Sequence, residues 1–351
     1  MPKIRVLIID DSALVRRILS DALSADRDIE VIGVAQDPYI ARDRINELKP
    51  DVLTLDVEMP RMHGLTFLRI LMDKRPMPVV MVSSLTESGV DVTLQALELG
   101  AVDFVTKPKV DLAQGLGALM PEIVEKVKAA ARSRPRRMVA PAQSAEKAPA
   151  GAPRLGRTTQ QILAIGASTG GTEAIRELLQ TLPADAPGVV IVQHMPERFT
   201  RTFAQRLNGL CSLAVTEATD GERVVSGKAL IAPGNFHMRL ARRGAEYHVQ
   251  LDQSSPVNLH RPSVDVLFES VAATAGRNAV GVILTGMGDD GARGLLKMKQ
   301  AGAHTIAQDR ESCVVFGMPR EAIALGASEE VLPLEQIASA ALRHFSHTGR
   351  D

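Results

Sequence analysis

Short continuous apolar runs, separated by amphipathic stretches, set the pattern of the first 130 residues. "IRVLIID", "IEVIGVA", "DVLTLDV", "PVVMVSS" and "AVDFVTKP" read as five strands, too short for buried helices and without the strict alternation of a one-sided strand. Such runs with helical segments between them predict a parallel sheet covered on both faces. Residues 1–130 are therefore expected to form one doubly wound α/β domain. The pattern returns in "QILAIGAS", "GVVIVQHM", "AVGVILTG" and "AHTIAQD", each leading into a helical stretch, which predicts a second α/β domain over 158–346 with a parallel centre. Within it, "ERVVSGKALIAPGNFHMRLARRGAEYHVQLD" alternates and carries turn residues, predicting inserted β-hairpins. Between the domains, "SRPRRMVAPAQSAEKAPAGAPRLG" is rich in Ala, Pro and Arg without an apolar period. Residues 131–157 are expected to be a semi-extended tether.

A length of 351 residues suits two such domains. The net charge is zero, and residues 158–351 hold 18 Lys+Arg against 20 Asp+Glu, a balance that argues against a nucleic-acid-binding output. No apolar run is long enough to cross a bilayer, and "MPKIRVLIIDDS" does not read as a leader. A cytoplasmic protein without membrane insertion is expected. Cys211 and Cys313 lie far apart with no histidines at metal-ligand spacing, which predicts buried reduced thiols.

Parallel sheets present functional groups at the carboxyl ends of their strands. In the first domain those ends carry Asp10 and Asp11, then Asp56, Ser83, and Lys107 followed by Pro108. Acids packed together need a neutralising cation, and hard oxygen donors in this number suit Mg²⁺. A carboxylate beside Mg²⁺ can attack a phosphoryl group while Lys107 and the Ser83 hydroxyl hold the transferred oxygens.

The motifs "DD" at 10–11, "LDVEMPRMHG" at 55–64, "MVSS" at 81–84 and "VTKP" at 105–108 together resemble the receiver domain of two-component response regulators, a flavodoxin-like fold. The resemblance implies that Asp56 is the phosphoacceptor and that a histidine kinase is the phosphodonor. It further implies that Asp10, Asp11 and Asp56 bind Mg²⁺ with the Glu58 backbone carbonyl, and that Ser83 and Lys107 sense the phosphoryl group. Phe104 stands at the family's aromatic switch position and reads equally well as a core residue.

In the second domain, "QILAIGASTGGTEAI" at 161–175 ends an apolar run in a small-residue turn. A dinucleotide fingerprint needs glycine where Ser168 stands, and a P-loop needs lysine where Thr172 stands. What remains is Gly166-Ala167-Ser168-Thr169-Gly170, a G-x-S-x-G turn of the kind that exposes a serine hydroxyl above a sheet. A serine nucleophile needs a base, and the base an orienting acid. His194 ends the strand "GVVIVQHM", and "VILTGMGDDGARG" delivers Asp289 and Asp290 to the same sheet edge. The orienting role falls to Asp290 and a loop or helix-capping role to Asp289. Glycines 286, 288 and 291 let backbone amides near Met287 face a developing oxyanion.

"IGASTGG" (165–171), "VQHMP" (192–196), "IAPG" (231–234), "HRPSVDVLF" (260–268), "LTGMGDDGA" (284–292) and "CVVFGMPREA" (313–322), behind a receiver and a tether, resemble the chemotaxis protein-glutamate methylesterase (CheB) family. That resemblance implies a Rossmann-like catalytic domain without cofactor. Ser168 would be the nucleophile, His194 the general base and Asp290 its partner, with the Met287 and Thr169 backbone amides at the oxyanion. The implied substrates are glutamate γ-methyl esters on methyl-accepting chemotaxis receptors, releasing methanol, with receptor glutamines deamidated in a second reaction. The receiver is expected to obstruct the catalytic face until Asp56 is phosphorylated, and the chain to be a monomer. One departure is Asp289, where many members carry Asn. Competing readings are a partner-binding output domain and a general small-ester hydrolase.

Overall fold

The computed structural model describes residues 2–83, 86–107, 115–133 and 161–348. Pro108 and all of the expected tether after residue 133 lie outside the described residues. The chain divides into two compact units, Met1–Ala140 and Pro141–Asp351.

The first unit contains β1 (Ile4–Ile9), β2 (Ile29–Ala35), β3 (Val52–Asp56), β4 (Val79–Ser83) and β5 (Asp103–Thr106). They pair in the order β2-β1-β3-β4-β5, every pair parallel, which is the flavodoxin-like winding with its switch point between β1 and β3. β3 and β4 are buried along their whole length, the reason their sequences read as unbroken apolar runs. Caps fix where the chain leaves the sheet. Ser12 Oγ accepts from the Val15 N–H at the start of the helix Ala13–Ser24, and Asp37 accepts from Tyr39 and Ile40 ahead of Pro38 in the next helix.

The second unit contains β6 (Ile162–Ala167), β7 (Gly188–Gln193), β8 (Ala214–Glu217), β9 (Lys228–Ile231), β10 (His237–Arg243), β11 (Glu246–Asp252), β12 (Ala279–Ile283), β13 (His304–Gln308) and β14 (Glu330–Leu332). A 7-stranded sheet runs β14-β13-β12-β6-β7-β9-β8, with every pair parallel. β10 and β11 form a separate antiparallel hairpin. The inserted segment thus differs from the sequence expectation, since only its second half is a hairpin. β9 buries three consecutive residues of "KALI", so it joins the two-faced central sheet. Helices Val264–Thr274 and Ala292–Gln300 contribute Leu267, Phe268, Val271, Leu295 and Met298 to the core beneath the sheet.

A close approach shapes the edge of this sheet. A Cβ on Gly166 would lie 2.1 Å from Val264 Cγ1, so glycine at the end of β6 admits the first turn of the helix Val264–Thr274 against the strand. Among the described residues, no helix is long and apolar enough to cross a membrane.

Candidate active site

From β6 the second sheet winds one way through β7 and the other way through β12, leaving a crevice at the carboxyl ends of these three strands. Ser168, His194 and Asp290 converge there. His194 Nδ1 lies 3.2 Å from Ser168 Oγ, and His194 Nε2 lies 2.8 Å from Asp290 Oδ2. An ionised Asp290 only accepts, so the ring hydrogen sits on Nε2 and the Nδ1 lone pair faces the serine hydroxyl.

The serine turn is pinned from three sides. The Ser168 N–H donates to the Thr285 carbonyl at 3.0 Å, and Gln193 Nε2 donates to the Ser168 carbonyl at 2.9 Å. Thr285 Oγ1 donates to the Thr169 carbonyl at 3.0 Å. Gly170 takes φ +77, the left-handed backbone glycine adopts without strain, and is the N-cap of the helix Gly171–Gln180. The His194 N–H is tied to the Ala167 carbonyl at 3.1 Å, and the His260 ring stacks on the His194 ring with centroids 3.7 Å apart.

Asp290 is buried and surrounded by donors. Besides His194, its Oδ2 accepts from the Val264 N–H at 2.6 Å. Its Oδ1 accepts from Asn258 Nδ2 at 2.7 Å, Ser263 Oγ at 2.7 Å and the Asp265 N–H at 3.2 Å. Burial opposes the charge, yet the bonds from His194, Asn258 and Ser263 win and hold the carboxyl far below its ordinary range. Neighbouring Asp265 goes the other way. Burial raises it and the Asp290 charge adds to that, against the Gly294 N–H that lowers it. Asn258 Nδ2 bridges both acids, reaching Asp265 Oδ2 at 2.8 Å.

Met287 sits half-buried between Gly286 and Gly288, the latter at φ +82, and among the described residues its N–H has no hydrogen-bond partner. Thr169 is buried beside Ser168. Asp289 is exposed on the loop, and its carbonyl accepts from the Ala292 N–H. The N-cap of the following helix is Gly291, without a side-chain cap, so Asp289 has the loop role rather than the capping one.

In the first unit, carboxylate oxygens of Asp10, Asp11 and Asp56 lie within 4.8 Å of one another. Lys107 Nζ stands 2.7 Å from Asp56 Oδ2 and 3.2 Å from Asp10 Oδ2. Burial raises Asp56 to about 6, helped by the Asp10 charge and opposed by Lys107. Burial also raises Asp10, again against Lys107. For Lys107 burial works against the ammonium, but Asp56 and Asp10 outweigh it and hold the proton more firmly. Asp10 Oδ2 and Asp56 Oδ2 are buried, and besides the Lys107 ammonium they have no donor among the described residues, which leaves lone pairs of the hard type that Mg²⁺ takes. The residues fit that ion. The Glu58 N–H donates to Asp56 Oδ1 at 3.2 Å. The Ser83 and Thr93 hydroxyls are 2.5 Å apart and share the Gly89 carbonyl, so Ser83 is engaged with the helix after β4. Phe104 is buried under Lys126 Nζ, 5.0 Å from its ring centroid, which is the core placement. Cys211 and Cys313 are buried thiols.

Sequence reasoning did not find Asn258, His260, Ser263, Asp265 or Thr285. "HRPSVDVLF" marked the region, but nothing in its spacing announces a carboxylate shell.

Residues 163–341 match the family model described as CheB methylesterase, and residues 6–116 match that of the response regulator receiver domain. The chain is 57% identical over 348 residues to a protein-glutamate methylesterase/protein-glutamine glutaminase of Chromohalobacter salexigens, covering 99% of this chain and 98% of that one. It is 59% identical over 340 residues to a protein of that name from Geobacter metallireducens, covering 95% and 94%. Among solved structures it is similar to the Thermotoga maritima CheB methylesterase catalytic domain, with 40% identity, a TM-score of 0.52, and coverage of 53% of this chain and 98% of that one.

Proposed function

The chain belongs to the CheB methylesterase family, and from that premise we propose that it is a phosphorylation-activated protein-glutamate methylesterase and protein-glutamine glutaminase of chemotaxis-type signalling. The observation that carries the reading is His194 bridging Ser168 and Asp290 at three strand ends.

The chemistry follows from that bridge. Ser168 Oγ attacks the γ-carbonyl of a glutamyl methyl ester as His194 Nδ1 takes its proton. Asp290 stabilises the imidazolium and fixes its orientation. The Met287 and Thr169 amides face the developing oxyanion, where charge accumulates in the transition state. Methanol leaves with the proton from His194, and water attacks the acyl-serine by the same route to give glutamate. A glutamine side chain takes the same path with ammonia leaving.

Control resides in the first unit. Asp10, Asp11 and Asp56, with the Glu58 carbonyl, would hold Mg²⁺, which supplies charge neutralisation for phosphoryl transfer. Asp56 is the nucleophile toward the phosphodonor. Lys107, already paired to Asp56, holds the transferred oxygens, and Ser83 leaves Gly89 and Thr93 to bond the phosphoryl group, biasing two arrangements of the unit. The phosphodonor is a chemotaxis histidine kinase and the ester substrates are chemoreceptors.

The test is methanol release from radiolabelled methylated receptor membranes, with and without a small phosphodonor. Wild type should accelerate with phosphodonor and Asp56→Ala should not. Equal rates for the two proteins under phosphodonor would refute the control step.

A further inference from the structure

Val257 and His260 exchange backbone hydrogen bonds in both directions, at 3.0 and 2.9 Å, and the residues between them, Asn258 and Leu259, have φ of +51 and +67. This is the two-residue turn with both central residues left-handed, which favours Asn followed by Gly. Asn occupies its proper place. Leucine stands where glycine belongs, and there its backbone is strained. Its side chain gains nothing from the fold in return: Leu259 is 96% exposed, whereas among the described residues the other large exposed apolar side chains reach at most 49%.

The turn is rigid, and it is bolted to the catalytic residues. Asn258 Nδ2 donates to Asp290 and Asp265, and the His260 ring lies against the ring of His194. Arg261 closes the base of the loop through Asn235 Oδ1 and the carbonyls of Gln253 and Ser254. Leu259 is thus a fixed apolar projection one residue from the wall of the site.

We propose that Leu259 is a substrate-docking finger that packs on an apolar side chain of the protein substrate close to the esterified glutamate. This rests on the esterase reading of the site. Because the turn is held before binding, little conformational entropy is lost on contact. Full burial of a leucine corresponds to about a tenfold to hundredfold gain in affinity.

The experiment measures KM and kcat for methanol release from methylated receptor membranes by the full-length wild type, Leu259→Gly and Leu259→Met, together with melting temperatures. Glycine suits the turn, so Leu259→Gly should melt at or above wild type while its KM rises about tenfold or more. Leu259→Met should restore most of the affinity. A Gly variant with wild-type KM overturns the proposal, and so does a loss confined to kcat with a lowered melting temperature, which is the mark of a structural residue. If wild type itself releases no methanol, the reading of the site fails and the finger fails with it.

Discussion

Replacing Asp290 by asparagine keeps the shape of the side chain and adds two hydrogens where every neighbour already donates. Its Oδ2 faces the Val264 N–H and His194 Nε2, and its Oδ1 faces Asn258 Nδ2, Ser263 Oγ and the Asp265 N–H. With the amide NH₂ on the Oδ1 side, the Ser263 hydroxyl can turn to accept, but Asn258 and Asp265 remain as unmatched donors. With the NH₂ on the His194 side, only the fixed Val264 N–H is unmatched, because the histidine can move its proton to Nδ1. The second orientation is favoured by about 1–3 kcal/mol, the cost of one further buried unsatisfied donor. It puts the ring hydrogen on the nitrogen that faces Ser168, which can then no longer accept the serine proton. The rate of methanol release should therefore fall by about 10⁴-fold, the scale of a wrong-tautomer triad. The second unit should lose roughly 2–4 kcal/mol as charge-assisted bonds disappear. Single-turnover methanol release at saturating receptor and calorimetric melting read the two quantities. A fall of less than tenfold in rate, in a folded variant, would refute the assignment of Asp290 as the residue that sets the tautomer.

Asp56, moved from 3.8 to about 6 by burial and by Asp10, holds its proton more tightly folded than unfolded. Its protonation stabilises the first unit fully below pH 3.8, and that contribution is lost as the pH rises through 6, leaving a cost of about 3 kcal/mol at neutral pH. In metal-free buffer, Asp56→Asn should accordingly raise the melting temperature of that unit at pH 7.5 and lose its advantage near pH 4. Gly286→Ala would place a Cβ 2.8 Å from Ser168 Cβ and 2.3 Å from Met318 Sδ. Met318 can swing but Ser168 cannot, so esterase activity should drop about 100-fold, read by the same methanol assay. The Cys211 thiol, pushed up to about 11 by burial, should resist iodoacetamide at pH 7.5 and react after denaturation, as mass spectrometry of the alkylated peptide would show.

The residues that were legible in the sequence are those at the ends of long buried strands. β6 and β12 are apolar throughout and β7 is apolar up to Gln193, so the polar residues just beyond them stood out, and the winding of a parallel sheet brings such ends together. Short edge strands carried no such signal. β8 and β14 have four and three residues, and β9 was absorbed into an alternating segment. The shell around Asp290 stayed hidden for another reason. Asn258, Ser263 and Asp265 come from a turn and a helix start, and what selects them is the need to satisfy one buried carboxylate, which appears only when Gly166 lets Val264 approach β6. Asn258 and Ser263 each have ordinary local readings, as a left-handed turn residue and as a helix cap. Of the two adjacent aspartates, Asp289 is exposed and Asp290 enclosed.

The most direct measurement is the rate of methanol release from methylated receptor membranes by full-length Ser168→Ala beside wild type, both phosphorylated. Wild type should release methanol, and the alanine variant, folded to the same melting temperature within a few degrees, should be slower by at least about 10³-fold. Release by Ser168→Ala within tenfold of wild type would mean that another group attacks the ester and that the bridge through His194 does not perform the reaction.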